Sequence, residues 1–138
     1  MSPSRFVAVL LVFLLAGPPI GAVTVSLVGG LAALIHGDET GMAGLVFYSG
    51  LLAIPLSWLV GGVQAAVAGL AFAASAAFAR RWAVVAGIAG AVAAGPVFFA
   101  RDDLDAPALA VVLTAHIVAA ATCGLIARTM LADRGRAS

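Results

Sequence analysis

Four long apolar runs without a charged side chain constrain this sequence more than any other feature. They cover residues 6–35, 41–79, 82–100 and 106–127. About 20 apolar residues are enough for an α-helix to cross the hydrocarbon core of a bilayer. Only 9% of the residues are charged, against about 25% in soluble domains. The runs therefore predict an all-α membrane protein: a compact bundle of four transmembrane helices forming a single domain over residues 1–138.

The arginines predict the orientation of this bundle. All seven basic residues are Arg, and in a four-crossing arrangement only Arg101 falls on the opposite side from the rest. The other six are Arg5, Arg80, Arg81, Arg128, Arg134 and Arg136. Cytoplasmic loops carry the Lys/Arg excess, so both termini are expected in the cytoplasm. A fifth crossing, made by splitting a long run in two, would place arginine clusters outside and is disfavoured.

The first two runs are longer than a crossing needs, and both carry helix-weakening residues near their centres. The first contains "GPPIG" (residues 17–21) and the second "PLSWLVGG" (residues 55–62). Proline removes a backbone hydrogen bond and clashes with the preceding turn, and glycine weakens a helix further. Both helices are therefore expected to be kinked or broken near the bilayer midplane. The second run should remain one bent crossing, with Ser57 and Gln64 bonding carbonyls freed around Pro55 and Pro19.

These interruptions have two interpretations. Discontinuous helices that meet at the midplane form the sites of many transporters, which makes the polar and proline residues there a candidate site. The plainer interpretation is that the bends relieve excess length and help the helices to pack. The candidate midplane polar site consists of Pro18, Pro19, Thr24, Ser57, Gln64 and His116.

The stretches "GPPIGAV" and "PLSWLVGGVQAAVAG" resemble Pro/Gly-interrupted segments in small uncharacterised inner-membrane proteins of GC-rich bacteria. The resemblance covers about a quarter of the chain. It implies a location in the bacterial inner membrane, and it carries no activity and no functional residues.

Small residues predict where the helices approach one another. In membranes, Gly and Ala let helix backbones come close and gain van der Waals contact. The candidate packing residues are Gly61, Gly69, Gly87, Ala91 and Gly95. Besides the lipid bilayer, the expected partners are other membrane proteins, or a second copy of this chain, held through such small-residue faces. The small net charge and the lack of a basic patch argue against nucleic acid.

Few side chains could carry chemistry. His116 is the one ionisable group expected deep in a crossing, where it could relay a proton or bind haem. A neutral His116 bonded to a helix carbonyl, Thr24 or Gln64 is the more ordinary interpretation. His36, Asp38 and Glu39 are better explained as a solvated loop than as a metal site, and Cys123 as a small buried apolar residue. No catalytic motif is present, so we expect no enzyme, no cofactor and no metal.

Three functions follow from this sequence. The favoured one is a non-enzymatic accessory or scaffold subunit. The second is a small transporter or channel protomer that uses the midplane breaks around Pro18, Pro19, Ser57 and Gln64. The third is a haem- or quinone-associated redox component centred on His116.

Overall fold

The computed structural model describes residues 2–35, 37, 41–76, 80–99 and 106–133. Within these ranges the chain is helical apart from short turns, without strands, which confirms the predicted all-α class. The α-helices are α1 (Pro3–Ile35), α2 (Met42–Leu52), α3 (Ser57–Ser75), α4 (Arg80–Phe99) and α5 (Ala106–Asp133). A single 3₁₀ turn, Ile54–Leu56, joins α2 to α3.

Helix α1 continues without interruption through Pro18 and Pro19. We expected a kink or break here, and a break does not occur. Each proline removes one N–H from the helix ladder, yet a neighbouring helix can supply the missing donor. The indole N–H of Trp58 does so for the carbonyl of Leu14, at 3.0 Å.

The second run is interrupted at Pro55, where the 3₁₀ turn separates α2 from α3. Both helices nevertheless follow α1 in the antiparallel direction. Gly50 of α2 lies against Ser26, and Gly69 of α3 lies against Phe13. Residue numbers rise along α2 and α3 while those of the facing α1 residues fall, so the α2–α3 path follows α1 in one direction. The interruption is therefore a break within one continuous path along α1.

Helices α4 and α5 complete the packing. α4 contacts α3 and α5, and α5 contacts α1 and α4. Gly90 of α4 approaches the backbone of α3 at Ala68, and Cys123 of α5 faces the carbonyl of Val12. The buried core is built from alanines around two larger side chains, Phe13 and Phe72. Their ring centroids are 5.5 Å apart, within the range of favourable aromatic pairs.

Two of the described helical segments are long and apolar enough to cross a membrane, Pro3–Ile35 and Leu109–Ala132. Two shorter apolar segments accompany them, 61–75 in α3 and 81–92 in α4. The helices also differ from the expected crossings at their ends. α4 begins at Arg80 rather than residue 82, and α5 continues to Asp133 rather than stopping at residue 127. Pro107 lies in the first turn of α5, where a missing N–H is harmless.

Candidate functional site

A cavity of about 350 Å³ lies at the break between α2 and α3. Its walls come from α1, the 3₁₀ turn, α3 and α5, and Gly50 of α2 and Ala91 of α4 also line it. Most of the lining is alanine, glycine and other apolar residues. The polar side chains among the described lining residues are Ser57, Gln64 and His116.

The break in the helix creates the cavity. The 3₁₀ turn and the start of α3 supply Leu56 and Ser57 to one wall, and α5 supplies Val112 and His116 to the opposite wall. In the described part of the chain, no Cα atom of the turn lies within 8 Å of a Cα atom of α5. The two walls therefore stand apart, and a cleft remains between them. Leu56 lines the cavity and is exposed.

Gln64 is the most unusual residue of the cavity wall. It is only 3% exposed, and its Oε1 atom has no hydrogen-bond partner among the described residues. Leaving a buried polar atom unsatisfied costs about 1–3 kcal/mol. Oε1 can only accept a hydrogen bond, so its missing partner does not bear on the predicted bond from the Gln64 N–H₂ group to a carbonyl freed by proline, which stays a prediction. Trp58 already supplies the donor for the carbonyl freed by Pro18.

Ser57 and His116 each lie within hydrogen-bond distance of a nearby backbone carbonyl. The Ser57 hydroxyl donates to the carbonyl of Ile54 at 2.6 Å, on the edge of the break. The Nδ1 atom of His116 lies 2.8 Å from the carbonyl of Val112, one turn earlier in α5. This matches the more ordinary interpretation of His116, in which the imidazole bonds a helix carbonyl. The Ser57 oxygen still has acceptor capacity toward the cavity.

The structure brings four of the six predicted midplane residues to this cavity, namely Pro18, Ser57, Gln64 and His116. It leaves two apart. Pro19 is not part of the cavity wall, and the Thr24 hydroxyl donates within its own helix to Ile20 at 2.8 Å.

The predicted packing residues lie at helix contacts wherever their surroundings are described. Gly61 lies against Pro18, Gly69 and Gly87 lie against Phe13, and Ala91 is buried at the cavity. The surroundings of Gly95 lie outside the described part of the chain.

Sequence reasoning missed three residues. Trp58 lies 40 residues after Pro18, and nothing in the local sequence of either residue indicates that they pair. Gly90, next to the predicted packing residue Ala91, lies against the α3 backbone at Ala68 and Val67. Gly21 lines the cavity, and a Cβ atom there would meet nothing within 4 Å. Only tertiary packing distinguishes these glycines from their neighbours.

The acidic and histidine residues of two loops lie outside the described residues. They are His36, Asp38 and Glu39 in one loop and Asp102, Asp103 and Asp105 in the other. Among the residues that are described, no group of three His, Cys, Asp or Glu side chains could hold a metal ion.

The arrangement can hold an apolar molecule and offer it one or two hydrogen bonds. The thiol of Cys123 lies in the core against Val12 and Gly17. No known family matches this chain, and comparisons with curated proteins and with solved structures find no similar protein.

Proposed function

We propose that this chain is a non-enzymatic protein of the bacterial inner membrane that crosses the bilayer four times, with both termini in the cytoplasm. In this proposal α1, the α2–α3 path, α4 and α5 each make one crossing and form a compact bundle. The bundle acts as an accessory or scaffold subunit.

The observation that carries the membrane assignment is the apolar outer surface. Large aliphatic side chains are exposed on every helix, and Leu59 of α3 is 79% exposed. Other examples, one from each remaining helix, are Leu15, Leu45, Val85 and Leu125. A soluble monomer rarely exposes contiguous apolar surface on this scale. A lipid environment removes the free-energy cost of exposing these side chains, because lipid tails are as apolar as the side chains.

The hydroxyl groups support the same environment. In the described helices, every Ser and Thr hydroxyl beyond the first turn of α1 donates to a carbonyl of its own helix or of the adjoining turn. The hydrocarbon core offers no water to bond such groups. Several of these hydroxyls are exposed, including Thr114 and Ser49, and self-bonding lets them face lipid.

The described arginines support the orientation. Arg5 lies near the start of α1, Arg81 near the start of α4 and Arg128 near the end of α5. Arg5 borders a small cleft with Met130 and Leu131, so the start of α1 and the end of α5 meet. These positive charges gather at one end of the molecule, which is typical of a cytoplasmic side.

A second candidate function is a carrier or transporter with its site at the interrupted helix. The observation in its favour is the cavity that joins Pro18, Ser57, Gln64 and His116. Breaks of this kind form binding sites in membrane transporters. The redox alternative depends on His116, and one ring nitrogen of that residue already faces the Val112 carbonyl.

Two measurements test the proposed location. After expression in a bacterial host, the protein should stay in the membrane pellet during extraction at alkaline pH. A reporter active only in the cytoplasm, fused after Ala127, should be active. Release of the protein into the supernatant contradicts membrane integration, and a silent reporter contradicts the orientation.

A further inference from the structure

We propose that the cavity at the α2–α3 break binds an uncharged, lipid-soluble molecule carrying a hydroxyl group, which hydrogen-bonds the side-chain amide of Gln64. The inference rests on the proposed membrane location, because a bilayer supplies such molecules. It deepens that proposal by adding a ligand class.

The Gln64 amide points to a hydrogen-bonding ligand. The residue lines the cavity and is 3% exposed, yet Oε1 lacks a partner in the described part of the chain. Buried polar groups nearly always have a partner, so each exception calls for a cause. The terminal torsion of glutamine is soft, and rotation about it can present either the oxygen or the N–H₂ group to the cavity. A hydroxyl group can accept from one and donate to the other.

The size and lining of the cavity define the rest of the ligand. A volume of about 350 Å³ lies within the range of about 300–1,000 Å³ found for small-molecule sites. Such sites are mainly apolar with a few placed polar groups, as here with Ser57 and His116 beside Gln64. Among the described lining residues there is no Asp, Glu, Lys or Arg. A charged ligand would find no counter-ion from those residue types and would pay for its desolvation.

The cleft between the 3₁₀ turn and α5 offers a route from the apolar surface. Leu56 lines the cavity and is 58% exposed. Within the described residues, no Cα atom of the turn lies within 8 Å of a Cα atom of α5. A ligand dissolved in lipid can therefore enter from the side, without crossing an aqueous phase.

The test uses two probes that differ only in the hydrogen-bonding group. Radiolabelled 4-hexylphenol carries a hydroxyl where 4-hexyltoluene carries a methyl group of similar size. Binding is measured by equilibrium dialysis of the purified protein in a mild detergent, with protein-free micelles subtracted. We expect saturable binding of 4-hexylphenol, and Gln64→Leu should weaken it about tenfold, as loss of one hydrogen bond to a buried group does. Gln64→Leu should leave the binding of 4-hexyltoluene unchanged.

A pair of glycine variants separates cavity binding from general partitioning. Gly21 lines the cavity and Gly62 does not, and a Cβ at either position meets nothing within 4 Å. Gly21→Leu should therefore fill the cavity and abolish saturable binding of both probes. Gly62→Leu is the matched control and should bind both probes like the parent protein.

Two results would overturn the proposal. Equal binding of 4-hexylphenol to the parent protein and to Gln64→Leu would remove the role of the amide. Unchanged binding to Gly21→Leu would place the probes on the outer surface. Because these measurements use purified protein, they are independent of the reporter result, and a wrong orientation would not alter them.

Discussion

The indole N–H of Trp58 in α3 donates to the carbonyl of Leu14 in α1 at 3.0 Å. Leu14 precedes Pro18 by four residues, so its carbonyl is the one that Pro18 leaves without a partner in the helix ladder. Trp58 is the second residue after the 3₁₀ turn Ile54–Leu56, which contains Pro55. The two proline sites are thus coupled, because the break in one helix places the side chain that repairs the other.

This pair predicts a specific double-mutant result. Trp58→Phe keeps the ring but removes the donor, and should lower the free energy of unfolding by about 1 kcal/mol. In a Pro18→Ala background residue 18 supplies its own N–H to Leu14, so Trp58→Phe should cost much less there. Unfolding by a denaturing detergent measures all four proteins. Additive effects of the two substitutions would show that the bond does not serve the freed carbonyl.

Of the two glycines in α2, Gly50 should tolerate an added side chain less well than Gly44. A Cβ at this position would collide with the Ser26 hydroxyl and come within 3.2 Å of its Cα atom. Gly50→Ala should therefore destabilise the protein by about 1–3 kcal/mol, as overpacking does. Gly44 is the matched control, since a Cβ there meets nothing within 4 Å. A thermal midpoint for Gly50→Ala equal to that of Gly44→Ala would contradict this contact.

Two glycines in α4 should respond differently to alanine. At Gly90 a Cβ would lie 3.2 Å from the Cα of Ala68 and 3.3 Å from the carbonyl of Val67, both backbone atoms that cannot move aside. At Gly87 the nearest atoms, in Phe13 and Phe72, are 3.5 Å or more away. Gly90→Ala should destabilise the protein, whereas Gly87→Ala should stabilise it by up to about 1 kcal/mol through helix propensity. Thermal unfolding in detergent should rank them in this order, and the reverse order would contradict the α3–α4 packing.

Removing the Gln64 amide should stabilise the ligand-free protein. Its buried Oε1 has no partner among the described residues, so Gln64→Leu removes a desolvation cost of about 1–3 kcal/mol for that atom. Gln64→Glu adds a charge at the same buried position and should lower the thermal midpoint of the protein. A lower thermal midpoint for Gln64→Leu than for the parent protein would show that the amide has a partner after all.

The sequence predicted the parts of this fold that depend on composition and proline chemistry. The all-helical class follows from the apolar runs, and the interruption at Pro55 follows from the proline itself. The continuity of α1 through Pro18 did not follow, because it depends on a donor 40 residues away. The cavity residues Pro18, Ser57, Gln64 and His116 were selected as polar or helix-breaking positions in apolar runs. The meeting of these four residues at one cavity depends on tertiary packing, which no local sequence pattern encodes. The same is true of the missing partner of Gln64 Oε1.

The claim that residues 41–79 cross the membrane once, despite the break at Ile54–Leu56, is tested most directly by paired reporters. One reporter is active only in the cytoplasm and the other only outside, and each is fused after Thr40 and, separately, after Ala79. Both fusion points lie outside the described residues, at the two ends of the α2–α3 path. A single crossing predicts the outside reporter active after Thr40 and the cytoplasmic one active after Ala79. The same reporter active at both points would mean that the chain turns back at Pro55, and would contradict the single interrupted crossing.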